Sequence, residues 1–200
     1  MALDSDRHRR SIRLRDYDYA QAGAYFVTIC AYGQECLFGE VAGGQMQQNY
    51  CGQIVFACWN TLPNHFANIE LDAFVVMPNH FHGILVFVDC TDHADAADVD
   101  DTVGANNSRT TPCPLNQPDN ANYSPSYLPH GTIPSSLGAI VQTFKATSTR
   151  KINQIRSTPG YHVWQRNYYD RIIRDEGELN RVREYIILNP ARWEEDANHP

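Results

Sequence analysis

The sequence predicts an α+β fold: an antiparallel sheet covered by helices on one face, with one more helix at the C-terminus. Three observations carry that expectation. Residues 24–31, 71–77 and 80–88 are dense in β-branched and aromatic side chains, the composition of strands. Residues 49–62, and 137 to about 153, instead space their apolar side chains as helices do. Pro78-Asn79 leaves a connection so tight that the strands on either side of it must run antiparallel.

In chain order, residues 1–19 are charged and lack periodicity, and form a basic N-terminal arm. The first strand follows at 24–31. Leu37-Phe38-Gly39-Glu40-Val41 continues in β, and Gly43-Gly44 marks a turn. The helix of 49–62 carries Ile54, Val55, Cys58, Trp59 and Leu62 and is ended by Pro63. The second and third strands flank Pro78-Asn79. Residues 89–136 then turn rich in Asp, Ala, Asn, Ser and Pro, an acidic low-complexity insertion that is loosely held. Ser135 or Ser136 caps the next helix, which opens at Leu137. Residues 161–174 are aromatic and basic and form an extended edge segment. A last helix spans 175–188, with Asp175, Glu176 and Glu178 favourable in its first turn and Asn189-Pro190 as its stop. The tail 191–200 is given no function. With the insertion set aside, the order is β-α-β-β-α-β plus a helix. That is the split βαβ, ferredoxin-like pattern, here one domain over 20–194. The pattern hosts RNA-recognition modules, metal carriers and nucleases, so function has to come from the site.

Composition narrows the classes. No stretch approaches the roughly 20 apolar residues of a membrane span, and the Arg-rich start is not followed by the apolar segment of a secretory signal. The six cysteines show neither a C-x-x-C pair nor zinc-finger spacing, which suits reduced thiols in a cytosolic protein. The net charge of −7 is unevenly spread. Residues 89–136 hold seven acids and one base, so the rest of the chain is only −1. Five arginines lie within 7–15, and ten Lys/Arg against five acids within 145–192. Screening over about 8–10 Å allows such local positive fields on an acidic protein. They suit either a nucleic-acid partner or plain solvated basic faces.

His80-Phe81-His82 is the most informative motif. On a strand, residues two apart share a face, so both imidazoles point one way and Phe81 the other. Two neutral imidazoles form half of a divalent-metal site; the same spacing also suits histidines satisfied in a core or at a surface. In the last helix Leu179, Val182 and Ile186 form an apolar stripe, and Tyr185 and Asn189 stack beside it, four residues apart. A helix packed on the sheet by that stripe could carry both over the histidines. Alone, Tyr185 also suits a core-rim tyrosine and Asn189 a helix stop. Together, His80, His82 and the Asn189 amide oxygen would hold Mg²⁺ or Mn²⁺ with positions left for phosphate oxygens. The Tyr185 phenol could then attack phosphorus and leave a covalent phosphotyrosine. Lys145, Arg150, Lys151, Trp164, Gln165, Arg166 and Arg171 suit a single strand, with bases stacking on rings and cations tracking phosphates.

The chain resembles the REP-associated tyrosine transposases, relatives of the single-tyrosine HUH transposases of small insertion sequences. The resemblance is carried by Tyr25-Phe26-Val27-Thr28, Val75-Val76-Met77-Pro78-Asn79-His80-Phe81-His82, Val163-Trp164-Gln165-Arg166-Asn167-Tyr168-Tyr169 and Arg183-Glu184-Tyr185-Ile186-Ile187-Leu188-Asn189-Pro190. It implies that His80 and His82 are metal ligands and that Tyr185 is the nucleophile, forming a 5′-phosphotyrosine and releasing a 3′-hydroxyl. Asn189 stands where insertion-sequence relatives often place a glutamine as third ligand. The resemblance further implies DNA transposition or recombination chemistry on single-stranded DNA beside palindromic, REP-like hairpins. The work would be cytoplasmic, on a bacterial nucleoid, by a monomer or a homodimer. The arm, with Arg9, Arg10 and Arg13, would lie near the hairpin. The insertion departs from the family's compact pattern. Two rivals remain: a ferredoxin-like module that binds hairpin DNA or RNA without cleaving it, and a metal-dependent hydrolase that uses water.

Overall fold

A computed structural model describes residues 21–88 and 133–200. The arm 1–19, with Arg9, Arg10 and Arg13, lies outside the described residues, as does 89–132 of the acidic insertion. The elements are β1 (Gly23–Cys30), β2 (Gly39–Ala42), β3 (Gln45–Gln48), α1 (Tyr50–Asn60), β4 (Ile69–Val76), β5 (His80–Phe87), α2 (Leu137–Arg156), β6 (Tyr169–Ile173) and α3 (Glu176–Leu188). Short 3-10 turns lie at Tyr32–Gln34, Leu62–Asn64 and Pro190–Glu195.

The main sheet has the order β4-β5-β1-β6, and every neighbouring pair is antiparallel. This is the expected split βαβ: β1 and β4 flank β5, with α1 in the crossover. The hairpin at Pro78-Asn79 is as tight as expected, with Met77 N–H donating to the His80 carbonyl at 2.8 Å. Of the two serines that the sequence offers as a cap, Ser136 is the one used. Asn49, Ser136 and Asp175 each accept a backbone N–H in the first turn of α1, α2 and α3.

Three boundaries differ from the sequence reading. The β segment after Leu37 is one arm of a small hairpin, β2 with β3, turned at Gly43 and Gly44, whose φ of 60° and 73° favours glycine. Gln-Met-Gln-Gln hid the second arm, because it has too little β-propensity to be recognised. The α2 helix runs on to Arg156 and closes on Ser157 in the left-handed region. Of the extended segment 161–174, only Tyr169–Ile173 pairs as a strand, and Trp164 makes a lone bridge to Ala31.

Alternation along the strands divides the chain between two faces. One face of the sheet, with Tyr25, Val27, Ile29, Phe81 and Leu85, packs under α1 and α2 as the larger core. The other carries Phe26 and Ile84, on which α3 lays Ile186, Leu179 and Val182, the stripe seen in the sequence. Gly83 faces α1: a Cβ there would come within 2.6 Å of Trp59 Cζ2 and 2.8 Å of Phe81 Cε1. Both rings are fully buried, so neither has room to withdraw. Gly83→Ala is expected to lower the unfolding free energy by about 1–3 kcal/mol, measured by urea denaturation.

Candidate metal and tyrosine site

His80 and His82 open β5 and sit opposite Cys30 and Thr28 of β1. They share the α3 face, while Phe81 turns into the larger core, as the spacing predicts. Both imidazoles are buried, at 0% and 2% exposed, and their rings lie 4.5 Å apart. His82 Nδ1 is 2.8 Å from Thr28 Oγ1, and its Nε2 is 3.2 Å from the Tyr185 hydroxyl. Tyr185 is 42% exposed, so the centre lies where the protein interior meets solvent. Phe26 supports both rings, stacked on His82 at 5.4 Å and edge-on to Tyr185 at 6.1 Å.

A bidentate ion pair fixes the helix that carries the phenol. Arg183 Nε and Nη2 donate to the Asp72 carboxylate at 2.9 and 2.5 Å, tying α3 to β4 at its bulge. The hydrogen bond from Arg183 holds the Asp72 carboxyl below its usual range.

The tail, assigned no function from its residues, brings Asp196 to the site. After the Pro190–Glu195 turn, Asp196 returns beneath α3 with its side chain 4% exposed. Asn189 Nδ2 donates to Asp196 Oδ2 at 2.9 Å, and the Asn198 N–H donates to Oδ1 at 2.7 Å. Burial pushes the Asp196 carboxyl up, but these donors and the nearby His80 outweigh it and hold the group below its usual value. Asp196 Oδ2 lies 4.0 Å from His80 Nε2. His80 Nε2 and Asn189 Oδ1 are buried with no hydrogen-bond partner. One ligand atom each from His80, His82 and Asp196 lies within 4.8 Å of the others.

These residues fit a divalent cation. Imidazole nitrogen and carboxylate oxygen are its ordinary donors, and unpaired buried acceptors are costly without one. Asn189, expected as a ligand, has its amide nitrogen committed to Asp196, whose carboxylate it orients, and its oxygen without a hydrogen-bond partner. The Tyr185 phenol is pushed up, first by burial and then by the Asp196 charge, so it carries its proton at neutral pH. Asp196 could have been suspected as an acid seven residues beyond Asn189; only the turn at Pro190 brings it back.

The residues expected to bind DNA divide differently. Lys145, Arg150, Trp164, Gln165 and Arg166 line one groove of about 860 Å³ between α2 and the segment before β6. None of His80, His82 or Tyr185 lines it. Lys145 is not a free cation: its Nζ donates to the carbonyls of Gln165 and Arg166 at 2.5 and 2.9 Å. Burial lowers its pKa to about 8. Trp164 is 6% exposed and its Nε1 donates to Ser148 Oγ, so it supports the groove from below rather than offering an open ring face. Arg171 pairs with Glu178 at 2.5 Å. Arg150, Lys151 and Arg166 are exposed.

Burial lowers the His80 pKa to about 4 and, with the charge of His80 adding to it, that of His82 to about 3. In the unfolded chain both would titrate near 6.5. Below pH 6.5 the unfolded state therefore binds more protons than the folded one. Stability present above pH 6.5 is expected to fall as pH drops toward 4, by up to about 1.4 kcal/mol per pH unit for each histidine. Urea denaturation at a series of pH values checks this, and the slope should flatten when both histidines are replaced by alanine.

No family model matches the chain. An uncharacterized protein of Haemophilus influenzae is 40% identical over 192 residues, covering 94% of this chain and 92% of that one. Among solved structures, that of a REP-associated tyrosine transposase bound to a REP hairpin superposes with a TM-score of 0.51 at 14% identity, covering 90% of this chain and 73% of that one. The chain therefore belongs to one family with the Haemophilus influenzae protein, and it has the fold of a REP-associated tyrosine transposase.

Proposed function

We propose that the chain is a divalent-metal-dependent endonuclease and strand transferase acting on single-stranded DNA, working through a 5′-phosphotyrosine on Tyr185. One observation carries the reading: a partly exposed phenol lies 3.2 Å from one of two buried imidazoles that share a cation-sized cluster with Asp196. Binding nucleic acid needs none of these groups.

His80, His82 and Asp196 would hold Mg²⁺ or Mn²⁺, with Asn189 Oδ1 beside them. When bound, the cation would offset charge on the scissile phosphate and favour the ionised phenol. The Tyr185 oxygen attacks phosphorus as its proton passes to solvent. The Oη–P bond forms, the P–O3′ bond breaks, and the departing oxygen takes up a proton as a 3′-hydroxyl. One phosphodiester is exchanged for another, so a second 3′-hydroxyl can reverse the step on a new strand. Arg183, paired with Asp72, keeps the phenol over the histidines.

The substrate class follows from the fold neighbour and the basic groove. The solved transposase is described as bound to a REP hairpin, and a single strand beside a palindromic hairpin is the substrate we carry to this chain. Arg150, Gln165 and Arg166 would contact its phosphates along the groove, with Lys145 holding the groove wall. That substrate places the protein on the bacterial chromosome; among the described residues no helix is long and apolar enough to cross a membrane.

Hairpin-flanked single strands incubated with Mn²⁺ test the reading on a denaturing gel. Wild type is expected to form a covalent adduct that chelation abolishes. Tyr185→Phe should bind equally and form none, while Asp196→Ala should weaken Mn²⁺ binding by at least about tenfold. Binding without an adduct in wild type would instead mark a non-cleaving module, and cleavage by Tyr185→Phe a hydrolase that uses water.

A further inference from the structure

We propose that Asn79 is a positioning residue that sets the metal-facing tautomer of His80 and docks the tail segment bearing Asp196, through one side-chain amide. The inference rests on the metal-centre reading above. Asn79 is 1% exposed, at the tip of the β4–β5 hairpin. Its own carbonyl accepts from Ala31 N–H at 2.8 Å, which pins the hairpin to the end of β1.

The amide has one allowed orientation. Its Nδ2 faces two backbone carbonyls, those of Asn198 at 2.6 Å and Gln34 at 3.3 Å. Carbonyls only accept, so a flipped amide would set oxygen against oxygen twice. The Asn79 Oδ1 must therefore face His80 Nδ1, 2.8 Å away. An amide oxygen also only accepts, so Nδ1 carries the ring proton and Nε2 presents its lone pair. That lone pair is the unpartnered acceptor that looks across 4.0 Å to Asp196. A carbonyl near the end of the chain, 119 residues from Asn79, thus takes part in choosing the state of a ligand on the central strand.

The same amide fixes the carboxylate. Asn198, held by Asn79 through its carbonyl, gives its N–H and Nδ2 to Asp196 Oδ1 at 2.7 and 3.0 Å. Cys30 Sγ reaches Asn198 Oδ1 at 3.6 Å and steadies the same residue from β1. One side chain that need not touch the cation thus orders two of its ligands, one from β5 and one from the tail. Partners of this kind typically contribute ten- to hundredfold in metal affinity.

Two variants of the full chain separate the two roles. Asn79→Ala removes both. His80 should lose its fixed Nδ1–H form in long-range ¹H–¹⁵N spectra. The Asn198 and His199 amides should exchange faster, and Mn²⁺ affinity, read by electron paramagnetic resonance, should fall at least about tenfold. Asn79→Asp keeps an acceptor for Nδ1–H but loses the donor, so His80 should keep its tautomer while tail exchange rises. An Asn79→Ala protein with wild-type tautomer, exchange and Mn²⁺ affinity overturns the proposal. So does an Asn79→Asp protein whose tail stays protected, which decides the matter if the alanine variant does not fold. Tautomer and exchange are read without metal. A wild type that binds no Mn²⁺ would sink the metal centre, whereas normal binding in Asn79→Ala would sink only the role of Asn79.

Discussion

Two buried atoms without hydrogen-bond partners, His80 Nε2 and Asn189 Oδ1, set beside a carboxylate are the constraint on which the rest depends. His80 Nε2 lies 4.0 Å from Asp196 Oδ2, which accepts a bond from Asn189 Nδ2. An open imidazole nitrogen and an open amide oxygen beside a carboxylate are a donor set that suits a divalent cation. Much of the architecture serves to impose it. The central strand β5 supplies the imidazoles, α3 supplies Asn189 and the phenol, and the turn at Pro190 returns Asp196 to the same point.

The two faces of the sheet do different work. The face under α1 and α2 is an aromatic core in which Trp59, Phe81 and Phe144 pack against one another, with ring centroids 4.5 to 5.2 Å apart. This rigid side fixes β5 and so the spacing of the histidines. The opposite face has a smaller apolar cluster and is closed by α3 and the tail. Its anchors are specific rather than extensive: the Arg183–Asp72 pair and the Asn79 amide. A face held by a few directional bonds sets geometry closely, and it can also open by releasing few contacts. The imidazoles are buried on this face, and Tyr185 beside them is the partly exposed member of the cluster.

Much of this was legible in the sequence, for identifiable reasons. Strand alternation separates His80 and His82 from Phe81, and the i, i+3, i+7 stripe of α3 places Tyr185 and Asn189 on the sheet side. Both are local periodicities, which one sequence displays. Asp196 shows in the sequence only as an acid seven residues beyond Asn189; its place depends on the turn at Pro190 and on the bond from Asn79 to Asn198, 119 residues apart. Thr28 sits beside His82 through the β1–β5 register, which composition does not give. Lys145 and Trp164 looked like surface contacts because charge and aromaticity say nothing of burial. Both line the same groove as Arg150 and Arg166, with Lys145 bonded to two backbone carbonyls and Trp164 buried.

The most direct test of the central claim is a crystal of the protein soaked in Mn²⁺ and recorded at a wavelength where manganese scatters anomalously. The account predicts one strong peak about 2.1 Å from His80 Nε2, His82 Nε2 and an Asp196 carboxylate oxygen. A peak held by other residues, or imidazoles that stay hydrogen-bonded to protein with no peak between them, would contradict it.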